Sequence, residues 1–156
     1  MKLLIVCTAN ICRSPMAETV ARQTLEAMGL RGKVTVASAG TRARHPGERM
    51  DPRAVAALER RGYRVDRRVS RRVRAEDFED FDLVLAMDPS HMDALRLLCP
   101  DHRRHTLRYF LPVVRADEAP AVPDPYYGTA EGFEEVLDLC ETGVDALVAQ
   151  GLVRPA

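Results

Sequence analysis

The order of apolar and helical segments predicts an α/β fold: a single domain built on a four-stranded parallel sheet in the order 2-1-3-4, with helices on both faces. Two runs, Leu3-Leu4-Ile5-Val6 and Leu83-Val84-Leu85-Ala86-Met87, are apolar without alternation, as in strands buried on both sides. A helical period follows each of four strand-like segments, the pattern of repeated right-handed crossovers. A chain of 156 residues can bury one sizeable core, so residues 1–156 read as one domain. In an open sheet of this order ligands bind beyond the carboxyl ends of the strands, where the order reverses. That point falls beside the first strand.

The first strand runs into Val6-Cys7-Thr8-Ala9-Asn10-Ile11-Cys12-Arg13-Ser14-Pro15. A helix from Pro15 to Met28 follows, with Ala17, Val20, Ala21, Leu25 and Met28 at helical spacing before Gly29. Such a junction is an anion site, because loop amides, the unpaired N–H groups of the first helical turn and the positive end of the helix dipole converge there. It carries a thiol, Cys7, and six residues later a guanidinium, Arg13, whose planar fork matches a phosphate. These surroundings favour the thiolate, the form in which cysteine attacks, and the amides with Arg13 can hold the equatorial oxygens of a phosphoryl group in transfer. Ser14 either donates its hydroxyl to Cys7 or caps the helix ahead of Pro15. Taken singly, a cysteine at a strand end reads as an apolar filler and an arginine opening a helix as a surface charge. Their spacing between a strand and a helix reads as a site.

Lys33 to Ala37 is the second strand, and Ser38-Ala39-Gly40-Thr41 a turn after it. The loop from Thr41 to Met50 carries Arg42, Arg44, His45 and Gly47, and Asp51-Pro52 opens a helix through Ala54, Val55 and Leu58 to Gly62. Arg61, Arg64, Arg67, Arg68, Arg71, Arg72 and Arg74 form a run that is either a solvated face or a docking patch for an acidic or phosphorylated partner. Phe81 to Met87 is the third strand. Asp88-Pro89 starts a helix with Met92, Leu95 and Leu98, where Asp88 serves either the ligand side of the sheet or the helix as a cap. Thr106 to Phe110 is the fourth strand.

The loop from Leu111 to Ala130 is long for a compact domain, itself a hint of function. Within it, Pro123 and Pro125 fix the backbone around Asp124, so that its carboxyl can be held over a pocket and deliver a proton to a leaving group. Glu131 to Gln150 is a packing helix with Phe133, Val136, Leu137, Cys140, Val144 and Leu147 on one face.

Cys7, Asn10, Cys12, Arg13, Ser14 and Pro15 together resemble the signature of the low-molecular-weight protein tyrosine phosphatases, usually Cys-x-Gly-Asn-x-Cys-Arg-Ser. The resemblance extends to Ser38-Ala39-Gly40-Thr41, to Glu76 through Asp88 and to Asp124-Pro125-Tyr126-Tyr127, and runs from about Leu3 to Leu147. It implies hydrolysis of phosphotyrosine or aryl phosphate esters through a phosphocysteine, with Cys7 as nucleophile, Arg13 as phosphoryl anchor and Asp124 as general acid and then base. Thr8, Ala9, Asn10, Ile11, Cys12, Arg13 and Ser14 would form the phosphate-binding loop, supported by Asn10, Ser14 and a hydrogen bond from Ser38 to Asn10. Arg44, His45, Tyr126 and Tyr127 would line the substrate cleft, and Cys7 and Cys12 would close reversibly to protect the nucleophile from over-oxidation. Two positions depart from the pattern. Ala9 replaces the usual Gly, which narrows the loop or, if that position needs positive φ, restricts its backbone and lowers turnover. Arg44 stands where the family commonly has an aromatic residue, offering cation–π contact and attraction to acidic flanking residues.

Neighbouring activities are weighed by single features. A branch that removes phosphate from arginine typically has Thr before the second loop cysteine, where this chain has Ile11, favouring tyrosine. An arsenate-reducing branch needs a mobile pair of further cysteines, whereas Cys99 and Cys140 lie in apolar helical patterns and read as core. A non-enzymatic phosphate-binding or phosphocysteine-carrying module would need the loop but not Asp124.

Composition narrows the partners. With 23 basic and 23 acidic residues the formal charge is zero, so neither nucleic acid nor a membrane surface is expected. Four cysteines do not make a disulfide framework, and Cys7 and Cys12 lack a second Cys/His pair for zinc, so no metal or cofactor is expected. Lys2 and the apolar run after it are interrupted too early, by Thr8, Asn10 and Arg13, for a signal peptide. The expectation is a cytoplasmic monomer inhibited by phosphate-like oxyanions.

Overall fold

A computed structural model describes residues 1–112 and 120–153. Strands β1 (Lys2–Cys7), β2 (Thr35–Gly40), β3 (Leu83–Ala86) and β4 (Leu107–Tyr109) form one sheet in the order β2-β1-β3-β4, parallel at every pairing. The helices are α1 (Arg13–Ala27), α2 (Pro52–Arg60), a short α3 (Asp77–Asp80), α4 (Pro89–Leu98) and α5 (Ala130–Ala149), with a 3-10 turn at Asp101–Thr106. The expected strand order and the parallel pairing hold.

Burial on both faces of β1 explains its unbroken apolar run. Leu3, Ile5 and Cys7 face one core with Met16 and Val20 of α1, Leu58 of α2 and Phe133 and Leu137 of α5. Leu4 and Val6 face a second with Phe78 of α3 and Met92 and Leu95 of α4. Helices therefore cover both faces. Cys99 and Cys140 are buried, as their patterns indicate.

Three local expectations are corrected. Ser38, Ala39 and Gly40 do not turn but continue β2, paired with Ile5, Val6 and Cys7, because ladder pairing with β1 overrides their poor strand propensity. Helix α1 begins at Arg13, so Ser14 lies inside the helix and does not cap it; of its two readings only the contact with Cys7 stands. The fourth strand is one residue shorter at each end, Leu107–Tyr109, with Thr106 taken up by the 3-10 turn. Residues 113–119 of the predicted long loop lie outside the described residues. Among the described residues no helix is long and apolar enough to cross a membrane.

Candidate active site

The loop between β1 and α1 is pinned from outside by its own carbonyls. The amides of Thr41, Arg42 and Asp51 donate to the oxygens of Cys7, Thr8 and Ile11, each at 2.9 Å. Loop amides are thereby left for an anion at the helix N-terminus. The first strand's neighbour has to come close to allow this: a Cβ on Gly40 would stand 2.4 Å from the Thr8 carbonyl oxygen, so only glycine fits.

Backbone strain falls on Asn10, not on Ala9. Asn10 has φ 61, the one non-glycine residue with positive φ among those described, and asparagine tolerates this region better than most. The expected penalty of a methyl group at Ala9 through positive φ therefore does not arise. Asn10 is fully buried and uses all its hydrogen-bonding capacity. Its Nδ2 donates to Ser14 Oγ at 2.8 Å and to Ser38 Oγ at 2.9 Å, and its Oδ1 accepts from Arg68 Nη2 at 2.8 Å and from the Arg71 amide at 3.1 Å. Ser14 Oγ in turn lies 2.9 Å from Cys7 Sγ.

Behind Asn10 is a buried ion pair. Arg68 Nε lies 2.6 Å from Glu18 Oε2, which also accepts from Ser38 Oγ at 3.1 Å. Burial raises the Glu18 carboxyl above its ordinary range against the opposing pull of Arg68 and Arg22. Neither residue stood out in the sequence. A signal for Glu18 was present, since it shares the helical stripe of Ser14, Ala21 and Leu25; nothing distinguishes Arg68 from the rest of its run. That run is partly neither of its two readings: Arg68 supports the loop, Arg71 forks onto Asp77, and Arg61 binds Glu134, Asp138 and Glu141 of α5.

Arg13 is buried to 5% side-chain exposure and held on two sides. Its Nη1 donates to Asp88 Oδ2 at 2.8 Å and to the Val122 carbonyl at 3.0 Å, and its Nη2 donates to Thr8 Oγ1 at 3.2 Å. Asp88 fills both roles left open for it, because Oδ1 caps α4 by accepting from the His91 amide while Oδ2 takes Arg13. Burial works to raise the Asp88 carboxyl, but hydrogen bonds from Ser90, the His91 amide and Arg13 bring it below its ordinary value. His91, another residue the sequence reading missed, is buried with Nε2 2.8 Å from Thr8 Oγ1. Burial and the Arg13 charge lower its pKa from 6.5 to about 4.

The remaining predicted residues meet in one cleft of about 310 Å³. Cys7, Ala9, Ile11, Cys12 and Arg13 form its floor, with Arg42, Arg44, His45, Asp124, Tyr126 and Tyr127 around the mouth. Asp124 is half-exposed, with Oδ2 3.7 Å from Arg13 Nη2 and Oδ1 accepting from the Tyr126 amide at 3.1 Å. Tyr126 and Tyr127 meet edge to face. The Arg53 guanidinium lies over the rings of Tyr126 and Phe133 and forks onto Asp51, tying the tyrosine wall to α2. Burial, with the charge of Asp51 and Cys7 added, raises the Cys12 thiol far above its ordinary value. Among the described residues no group of three or more His, Cys, Asp or Glu is arranged to hold a metal ion.

Comparison with known proteins agrees with this geometry. The sequence model of the family described as low molecular weight phosphotyrosine protein phosphatase matches residues 2–154. A low molecular weight protein-tyrosine-phosphatase of Streptomyces coelicolor is 43% identical over 95% of this chain and 92% of its own length. The corresponding protein YfkJ of Bacillus subtilis is 36% identical, over 96% and 94%. The crystal structure of a protein tyrosine phosphatase from Entamoeba histolytica superposes with a TM-score of 0.88 at 36% identity, covering 98% of this chain and 99% of that one.

Proposed function

The chain belongs to the low molecular weight phosphotyrosine protein phosphatase family, and from that premise we propose that it hydrolyses phosphotyrosine monoesters through Cys7, Arg13 and Asp124. The Cys7 sulfur attacks phosphorus while the phenolic oxygen leaves with a proton from Asp124, giving a phosphocysteine. Water then attacks the same phosphorus, losing its proton to Asp124, and phosphate and thiolate are released. Loop amides and Arg13 hold the equatorial oxygens through both steps, so the charge of the transition state needs no metal.

The observation that carries this reading is the convergence of two distant parts of the chain, the loop of Cys7 and Arg13 and the segment of Asp124. Asp124 approaches to 3.7 Å of Arg13 in the cleft that Cys7 also lines. The Ser14 hydroxyl, 2.9 Å from Cys7 Sγ and with Asn10 donating to its oxygen, is placed to donate to a thiolate in the attack and as the leaving group of the second step. Tyr126 and Tyr127 offer faces and edges to a phenyl ring. A phosphate-like oxyanion would occupy the same loop and inhibit. Cys12, buried beside Cys7 and held as a thiol, is the partner for reversible closure after oxidation. The enzyme acts as a cytoplasmic monomer in this reading.

The test compares phosphotyrosine, phosphoserine and phosphoarginine peptides with the wild-type protein and Cys7→Ser, in the presence of a chelator. Phosphotyrosine is turned over fastest, and Cys7→Ser is inactive. Asp124→Asn separates an enzyme from a phosphocysteine carrier: an enzyme loses turnover of esters with poor leaving groups much more than of esters with good ones, whereas a carrier is indifferent. Faster turnover of phosphoarginine would overturn the assigned substrate.

A further inference from the structure

We propose that His91 is a positioning residue for Arg13, acting through the Thr8 hydroxyl to fix which edge of the guanidinium faces the phosphoryl group. The inference rests on Arg13 holding that group and adds what sets its orientation. Five N–H donors are available to the guanidinium. Both on Nη1 are engaged, by Asp88 Oδ2 and the Val122 carbonyl, and one on Nη2 is engaged by Thr8 Oγ1. Nε–H and the second Nη2–H remain, side by side on one edge of the fork, the pair that grips two oxygens in bidentate fashion.

His91 keeps the Thr8 contact in that sense. Thr8 Oγ1 already accepts from Arg13, so its single proton is free to point at His91 Nε2, 2.8 Å away. Arg13 Nη2 also lies 3.5 Å from Nε2, so a proton on that nitrogen would face another donor. Nε2 is therefore the unprotonated nitrogen and Nδ1 carries the proton, a tautomer assigned from its surroundings. Nδ1 is fully buried and makes no hydrogen bond, although Asp88 Oδ1 is 3.2 Å away. The charged groups facing the ring are Arg13 from α1, Asp88 from the start of α4 and Asp124 from the cleft loop. A protonated ring would turn Nε2 into a donor and break the Arg13–Thr8–His91 relay.

His91→Leu removes the acceptor, and His91→Gln returns one at the same reach. In the full-length protein, His91→Leu lowers kcat/KM for a phosphotyrosine peptide and weakens inhibition by inorganic phosphate together, by about ten- to a hundredfold, the range for a catalytic group displaced by roughly 1 Å. His91→Gln recovers most of both, which a purely structural role would not predict if the two variants melt alike. Should His91→Leu fail to fold, Thr8→Val removes the relay with His91 in place and shows the same paired loss. Nitrogen NMR of wild-type His91 shows an unprotonated Nε2 between pH 5 and 8. A folded His91→Leu or Thr8→Val protein with unchanged phosphate inhibition, or a proton on Nε2, overturns the inference. Arg13→Lys distinguishes the two levels: unchanged phosphate inhibition there would sink the role of Arg13 itself, whereas loss there with none in His91→Leu sinks only the positioning.

Discussion

The phosphate loop meets two environments, and they differ in how fully their polar groups are paired. On the packed side Asn10 satisfies two donors and two acceptors, Glu18 and Arg68 form a buried pair, and Arg13 is held by Asp88, Val122 and Thr8. At the mouth Arg42, Arg44 and His45 are exposed and make no ion pair among the described residues. A buried polar group without a partner costs about 1–3 kcal/mol, so the packed side tolerates few alternative arrangements, whereas the mouth tolerates many. Geometry is fixed where the chemistry is the same for every substrate and left adjustable where substrates differ.

The largest break in that contrast comes from the buried pair. Glu18→Ala leaves Arg68 charged and unpaired behind Asn10, and a buried pair with one partner removed costs about 3–5 kcal/mol. Chemical denaturation should show a loss of that size together with a fall in kcat, because the Arg68 donor to Asn10 Oδ1 is no longer held and Ser38, which accepts from Asn10, loses the Glu18 carboxylate that orients it. Arg22, which also reaches Glu18 but is partly exposed and pairs with Asp66, should cost under about 1 kcal/mol when changed to Ala. Equal effects of the two substitutions would erase the distinction between the sides.

A pH dependence comes next in size. His91 has a folded pKa of about 4 against an ordinary 6.5, so between these values the unfolded chain binds more protons than the folded one. Stability therefore rises with pH across that window and is lost as pH falls through it, by an amount on the order of 3 kcal/mol from this residue. Denaturation midpoints measured from pH 7 down to pH 4 should fall, and His91→Gln should flatten the profile. Smaller again is Gly40→Ala. Its Cβ would meet backbone, not a flexible side chain, so the strand must shift at a cost of about 1–3 kcal/mol, read as a lowered melting temperature and reduced kcat with the rim untouched.

The sheet order, both buried strands and the meeting of Cys7, Arg13 and Asp124 in one cleft were legible in the sequence because each is written locally, as an apolar run, a spacing or a proline-bracketed carboxylate. Ser38 to Gly40 misled as a turn because their strand state depends on register with β1, which no local pattern encodes. His91 and Arg68 were missed for a related reason. Their partners are Thr8, 83 positions away, and Glu18 on α1, far along the chain from the irregular segment that carries Arg68, so these contacts exist only once the chain is folded. At Ala9 the sequence marks an unusual residue and not the dihedral, so whether that position needs positive φ was open until the structure placed it at Asn10.

The smallest effects belong to the mouth, and they discriminate best between substrates. Arg42 and Arg44 flank the cleft, which Glu48 and Asp124 also line, and form no ion pair among the described residues, so a carboxylate beside the phosphotyrosine of a peptide would meet them through solvent. Exposed pairs of this kind are worth roughly 0.2–1 kcal/mol, so Arg44→Gln should raise KM by at most about fivefold for a peptide with adjacent acidic residues and leave kcat unchanged. Because the Debye length shrinks to about 3 Å at 1 M salt, the difference between wild type and variant should vanish there. A peptide with neutral flanks should not respond at either ionic strength. If it responds as strongly as the acidic one, Arg44 shapes the cleft by packing, as an aromatic residue would, and the mouth is no more adjustable than the loop beneath it.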